Sequence, residues 1–286
     1  MEYDKLTWWR EGETVEWCRQ TLATAKAAPG VDKRISAFSK QSAIVNVYLS
    51  NKIEHTLPAG VSQHDTYKLL DTTFNEPLLP SDLTSPPTKI WSADGSETSS
   101  SAAAQLQQHM KALKYLCYEC TPGHQPLTEE MVKTTHKLLM SGATSPDGTI
   151  IANGEYRVTP AYSGTGYIYP DAKTISDRIP VILSEFNKRI QDKVDGPVVA
   201  AKLMYHMVTV HPFQDGNGRL CHLLVSYALM ASGEPFPVPL HNGHRKSHKH
   251  YLSALQHADR HLHTRQLASF VLECLLWKWQ NVAALV

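Results

Sequence analysis

Apolar residues recur at helical spacing through most of this chain, and the places where that period fails mark its boundaries. The period runs from Thr14 to Ala27 and again from Ile35 to Ile53, where Ala43, Ile44 and Val47 fall on neighbouring faces of one helix. Pro58 and Gly60 are expected to end that second helix. Between Phe74 and Ser101 the composition turns to Pro, Ser, Thr and Asp, which predicts an irregular loop or insertion. Helical patterning resumes from Ala102 to Leu116, and Thr128 stands as an N-cap ahead of the acidic pair Glu129 and Glu130. From Gly154 to Pro170 the helical period disappears, and the aromatic, Gly-rich run GEYRVTPAYSGTGYIYP predicts a β-hairpin turning near Ser163 to Gly166.

Two later segments, Pro197 to Val210 and Leu220 to Met230, are apolar on almost every side, the pattern of helices buried all round. The second stops at Gly233 and Pro235, and no internal repeat is present. The fold class that follows is all-α with a single β-hairpin. A length of 286 residues, 42% of them hydrophobic, suffices for a full core in one domain with appendages.

Charge and cysteine content narrow the function classes. Lys and Arg number 28 against 27 Asp and Glu, so the basic footprint that a phosphate backbone requires is missing and no nucleic-acid partner is expected. The first residues, MEYDKLTWWREGETVEW, are charged and lack an apolar core, so neither a signal peptide nor a membrane span is expected. Five scattered cysteines, an odd number, read as a reduced cytoplasmic protein. Cys117 and Cys120 form a lone CxxC without a second pair of ligands, the mark of a helix-face coincidence. The i,i+4 histidine pairs His244/His248 and His257/His261 lack the intervening Glu of a zinc protease and read as solvated. His206 reads as a core histidine, and Trp8, Trp9, Trp277 and Trp279 as packing residues.

Between the two buried helices stands a short polar loop, His211-Pro212-Phe213-Gln214-Asp215-Gly216-Asn217-Gly218-Arg219. A plain helix-helix turn would account for the glycines, with Asp215 or Asn217 as caps. It would not account for so many polar groups placed between two core helices. A glycine-flanked stretch at a helix start presents unpaired N–H groups and the positive end of the helix dipole, an anion cradle whose natural guest is phosphate. Arg219 can fork two phosphate oxygens and Asn217 can donate its amide. Asp215 is a hard oxygen ligand suited to Mg2+, and a neutral His211 can take a proton from an incoming hydroxyl.

The loop resembles the signature of the Fic family, HPFx(D/E)GNGRxxR, over eight fixed positions in register. The resemblance implies a Fic-type helical bundle with a β-hairpin flap. It also implies AMP transfer from ATP, with Mg2+, to a Ser, Thr or Tyr hydroxyl of a target protein. His211 would be the base, Asp215 the Mg2+ ligand, and Gly216, Asn217, Gly218 and Arg219 the phosphate holders. Gly154 to Arg157 resembles the start of the flap, which would clamp the target by strand addition. Tyr251 and Asp259 lie in a segment resembling the helix over the nucleotide base, although the usual Asn is Asp259 here. Upstream, Ser50 to Glu54 resembles the family's inhibitory pattern (S/T)xxxE(G/N), with His55 where Gly or Asn is usual. The implied organisation is N-terminal helices with the inhibitory helix over 1–70, an irregular insertion over 71–101, and the Fic domain with C-terminal helices over 102–286. A homodimer is compatible with this pattern.

The family's second arginine is His222 here, which loses a bidentate, permanently charged contact. An adjacent carboxylate is expected to raise the pKa of His222, so that pairing with Glu54 strengthens at low pH and fades as pH rises. Removal of AMP from a modified protein by the same site, and nucleotide or peptide binding without turnover, are the other functions compatible with these residues.

Overall fold

The computed structural model describes residues 2–54, 56–57, 62–84, 91–92, 99–121, 125–144, 149–163 and 166–284. Pro58, Gly60 and the centre of the expected hairpin turn lie outside them. Among the described residues the architecture is helical, with the core built around the two apolar segments that flank the polar loop. The first is α8 (Gly196–Val210), which packs on the second, α9 (Asn217–Ala231), and against α7 (Ile175–Gln191) and α11 (Arg265–Ala284). Nearly every residue of α9 is buried, so its polar members Asn217, Arg219, His222 and Ser226 require partners within the protein.

Three N-terminal helices, α1 (Val15–Lys26), α2 (Val31–Ile53) and α3 (Gln63–Asn75), wrap this centre. Thr14 caps α1 by accepting from Trp17 N, and Thr128 caps α6 (Glu129–Leu139) by accepting from Met131 N, as the sequence predicts. The segment ahead of α1 is bound to the core rather than trailing from it. Leu6 is buried, the Trp8 ring stacks on His250 at 4.1 Å, and both Trp8 and Trp9 donate to the buried carboxylate of Glu273.

The stretch expected to be irregular carries more structure than its composition suggests. Helix α3 runs on to Asn75 because Phe74 finds a partner in Tyr118, ring centroids 5.4 Å apart. A short α4 (Pro80–Thr84) follows, fixed by Asp82, which accepts from Leu79 N and from Lys111. Trp91–Ser92 then pairs in parallel with Ala143–Thr144. Helix α5 (Ser99–Lys114) leads into a turn of π-helix at Tyr115–Glu119.

The hairpin is present in its shortest form. Tyr162 and Ile168 make an antiparallel bridge, with Ser163 N donating to Tyr167 O at 2.9 Å and Tyr169 N to Ala161 O at 3.1 Å. His206, expected in the core, is only half-buried, next to Tyr205 at the edge of α8. The last long helix before α11 is α10 (Ser247–His261), which carries Tyr251 and Asp259. No described helix is long and apolar enough to cross a membrane.

Candidate active site

Helix α8 ends abruptly at His211, whose φ of 50° and ψ of 62° place it in the left-handed region. Histidine tolerates that conformation better than most residues with a Cβ, at a cost of roughly 1–3 kcal/mol that the surroundings must offset. Arg157 supplies much of that hold. Its Nε donates to His211 O at 2.7 Å, and its Nη atoms donate to the carbonyls of Thr159, Pro170 and Val210. Its own N–H donates to Pro212 O at 2.9 Å. The last turn of α8 has no basic residue, so one buried guanidinium from the flap both answers the negative end of the helix and ties the flap to the loop.

The His211 ring lies between that anchor and the flap. The Tyr169 ring stacks on it at 3.9 Å and 17°. Burial pushes its pKa down to about 4, the Arg157 guanidinium acts in the same direction, and the Val208 carbonyl and Asp215 oppose them. His211 is therefore neutral at any physiological pH, the form a base requires.

Behind the loop a second histidine fixes its shape. Phe213 is fully buried, its ring stacked on His136 at 3.7 Å. Gly154 N donates to His136 Nδ1 at 2.9 Å, so the proton sits on Nε2, which donates to Asp215 O at 2.8 Å. Burial holds His136 neutral, with its pKa at about 4, which keeps that tautomer. Asn217 closes the loop from the other side, accepting from Phe213 N at 3.0 Å and donating to Phe213 O at 2.8 Å. The Asn217 amide is thereby committed to the backbone, and it serves the cradle by holding its curvature. Asp215 Oδ1 accepts from Gly216 N at 2.6 Å. Arg219 is buried in the first turn of α9, with Nη2 3.2 Å from Met140 Sδ.

Gly216 and Gly218 are glycines for different reasons. Gly216 has φ +75°, and a Cβ there would meet Met140 Sδ at 2.6 Å. Gly218 is helical, but a Cβ there would fall 2.5 Å from Glu54 Cδ, so the hollow at the start of α9 holds the Glu54 carboxylate. Glu54, from a helix distant in sequence, thus lies against this loop.

Glu54 arrives there as the last member of a polar series along α2. Asn46 donates to Ser226 Oγ at 2.7 Å, Ser50 Oγ bonds His222 Nδ1 at 2.7 Å, and Glu54 overlies Gly218. Every fourth residue of one helix thus meets every fourth residue of the other in antiparallel order. One turn earlier Ser42 continues the series by donating to Pro237 O at 2.5 Å. This series was not read from the sequence. Its trace there is the four-residue spacing of Ser42, Asn46, Ser50 and Glu54 along α2.

The electrostatic expectation for His222 is corrected. Burial pushes its pKa down to about 3, with His248 and Arg219 acting in the same direction. Glu54 Oε1, 3.6 Å from Nε2, does not offset that desolvation. His222 is neutral, and with Ser50 donating to Nδ1 it can present a neutral Nε2–H towards Glu54. Tyr251 packs edge-on to His222 at 6.1 Å and is buried, while Asp259 is exposed and acts electrostatically on Tyr205 and Tyr169. Among the described residues no group of three His, Cys, Asp or Glu side chains is arranged to hold a metal by itself. An ion here would need ligands from a substrate as well as Asp215.

The geometry defines a class: a helix, a polar loop under a flap, and a glycine cradle at the next helix start. Residues 126–229 match the model of the Fic/DOC family. A Fido domain-containing protein of Dictyostelium discoideum is 32% identical over 115 residues, covering 40% of this chain and 77% of the relative. A protein adenylyltransferase Fic of Aedes aegypti is 29% identical over 167 residues, 57% of this chain, and the match spans only 30% of that longer protein. A Fic domain-containing signaling protein of Bacteroides thetaiotaomicron shares the fold with a TM-score of 0.66 at 19% identity, covering 94% of each chain. Fic-1 of C. elegans does so with 0.68 at 20% identity, over 93% of this chain and 69% of that one. The chain belongs to the Fic family.

Proposed function

We propose that the protein is an adenylyltransferase that moves AMP from ATP to a Ser, Thr or Tyr hydroxyl of a target protein, and that Glu54 restrains it. The observation that carries this reading is the Glu54 carboxylate lying against Gly218, because a hollow that accepts one anion at a helix start suits the phosphates of a nucleotide. Glu54 and a substrate phosphate would compete for that hollow.

In this reading neutral His211 takes the proton of the target hydroxyl as its oxygen bonds to the α-phosphorus and the bond to pyrophosphate breaks. The stacked Tyr169 and the Arg157 anchor hold the base in place while the flap receives the target segment. Asp215 would hold Mg2+, which supplies charge neutralisation to the phosphates. Tyr251 and His222 form the buried wall on the side of α10, where the nucleotide base is expected.

The test is transfer of labelled AMP to protein in a Glu54→Gly background, read by intact mass. His211→Ala should lower the rate on the order of 10^2- to 10^4-fold while nucleotide still binds. Unchanged turnover in that variant would remove His211 from the assigned role. AMP released from a pre-modified target faster than it is attached would favour the reverse reaction.

A further inference from the structure

On the face of α2 turned away from Glu54 and Ser50, a cleft of about 450 Å3 opens between α2, α3 and α11. Its lining includes Lys52, Lys278 and His241 together with Tyr48, Tyr67 and Trp277, and among the described residues that line it none is acidic. An adjoining hollow of about 390 Å3 shares Lys52 and His241 with it and adds Arg245, again without an acid.

Lys278 is the unusual member. Only 2% of the residue is exposed, yet among the described residues no carboxylate answers its charge, and its amine lies 4.9 Å from the Phe38 ring centroid and 5.5 Å from that of Trp277. A buried ammonium without a counter-ion is costly, and burial alone pushes its pKa down to about 7. The charges acting on His241 are Lys52, His244 and Lys278, all of one sign. Aromatic rings come from two directions. Tyr48 and Tyr67, edge to face at 5.4 Å, belong to α2 and α3, while His241 and Trp277 approach within 4.9 Å from the loop before α10 and from α11.

We propose that this cleft is a binding site for a small aromatic anion, whose carboxylate meets the Lys278 ammonium and whose ring lies among Tyr48, Tyr67 and Trp277. The volume suits a molecule of one or two rings. An anion supplies a partner for a charge that the described residues leave unanswered. The aromatic rings supply apolar area and π-faces. The site is separate from the cradle at Gly218 and needs no catalytic activity to be detected.

The probe is 1-naphthoate, with 1-naphthamide as its uncharged twin, titrated calorimetrically into the whole chain at pH 6.5. Wild-type protein should bind one naphthoate at least about tenfold more tightly than the amide. Lys278→Met, which keeps the length of the side chain, should abolish that preference, and Lys52→Gln should reduce it. On wild-type protein alone, naphthoate should shield Lys278 from limited acetylation by acetic anhydride, read by peptide mass, so the proposal stays testable if a variant folds poorly. An acid that binds no better than the amide, a preference that survives Lys278→Met, or Lys278 acetylated equally with and without naphthoate would each overturn it.

Discussion

Ser50 and His222 share a buried hydrogen bond of 2.7 Å that leaves the far nitrogen of the imidazole 3.6 Å from Glu54. Because burial holds His222 at about 3, the ring meets Glu54 as a neutral group from pH 5 upward. An arginine at this position would carry a permanent charge instead. The sign of the shift decides the pH behaviour. A histidine whose folded pKa lies below its unfolded value stays uncharged in the native state throughout the range between them. The ratio of Glu54→Gly activity to wild-type activity should therefore exceed one and stay flat between pH 6 and pH 8. A ratio several-fold larger at pH 6 would mean that His222 is charged when Glu54 is docked.

Removing the Ser50 hydroxyl leaves His222 Nδ1 buried without a partner, which costs roughly 1–3 kcal/mol. Ser50→Ala should lower the denaturation midpoint and also raise basal AMP transfer, since the turn of α2 that holds Glu54 loses its tie to α9. In a Glu54→Gly background the same substitution should cost stability and add nothing to activity. A further rise in activity there would mean that Ser50 acts on catalysis by another route.

Arg157 lowers the pKa of His211 as well as anchoring it. A base with its pKa at about 4 loses activity only as pH falls towards that value. Arg157→Gln removes a neighbouring positive charge, so the acid limb of single-turnover transfer should move to higher pH. The comparison is with the parent Glu54→Gly protein at saturating ATP. An unmoved limb with a lower plateau would leave Arg157 a purely mechanical role.

The buried amine of Lys278 makes a prediction for stability alone. Its folded pKa is about 7, whereas a lysine in the unfolded chain titrates near 10.4, as lysines ordinarily do. Between these values the unfolded chain binds a proton that the native state does not, so raising the pH through this window stabilises the native state. The penalty is fully present below about pH 7 and amounts to roughly 3–5 kcal/mol. Lys278→Met should be more stable than wild type at pH 7, with a gap that narrows by pH 10. Urea midpoints at the two pH values measure it, and a constant gap would contradict the burial of the charge.

Much of this was legible in the residues because period and chemistry agree. The apolar character of α8 and α9 could belong only to central helices, and nine residues between them carried a motif too dense for a turn. The pairing of Glu54 with a loop more than 150 residues away was legible only through resemblance, since no local pattern connects them. The hold of Arg157 on four carbonyls could not be read, because those carbonyls belong to backbone that no side-chain pattern reports. The charge state of His222 was misread for a related reason. The neighbouring carboxylate of Glu54 was implied by the resemblance, whereas desolvation depends on everything that packs around the ring. The end of α3, the short α4 and the parallel ladder were hidden by the composition of 71–101, where tertiary partners such as Tyr118 override weak local preference.

Glu54 is the C-cap of α2, and buried contacts at Asn51, Ser50, Asn46 and Ser42 fix the helix up to its last turn. Helix ends fray readily, while interiors give way only with the packing around them. If Glu54 restrains the site as proposed, its carboxylate leaves the hollow by a change at the cap alone, with α2 still fastened to α9 through Ser50 and Asn46. In that reading the occupancy of the hollow becomes a matter of concentration: an anion abundant enough competes with the Glu54 carboxylate for the start of α9.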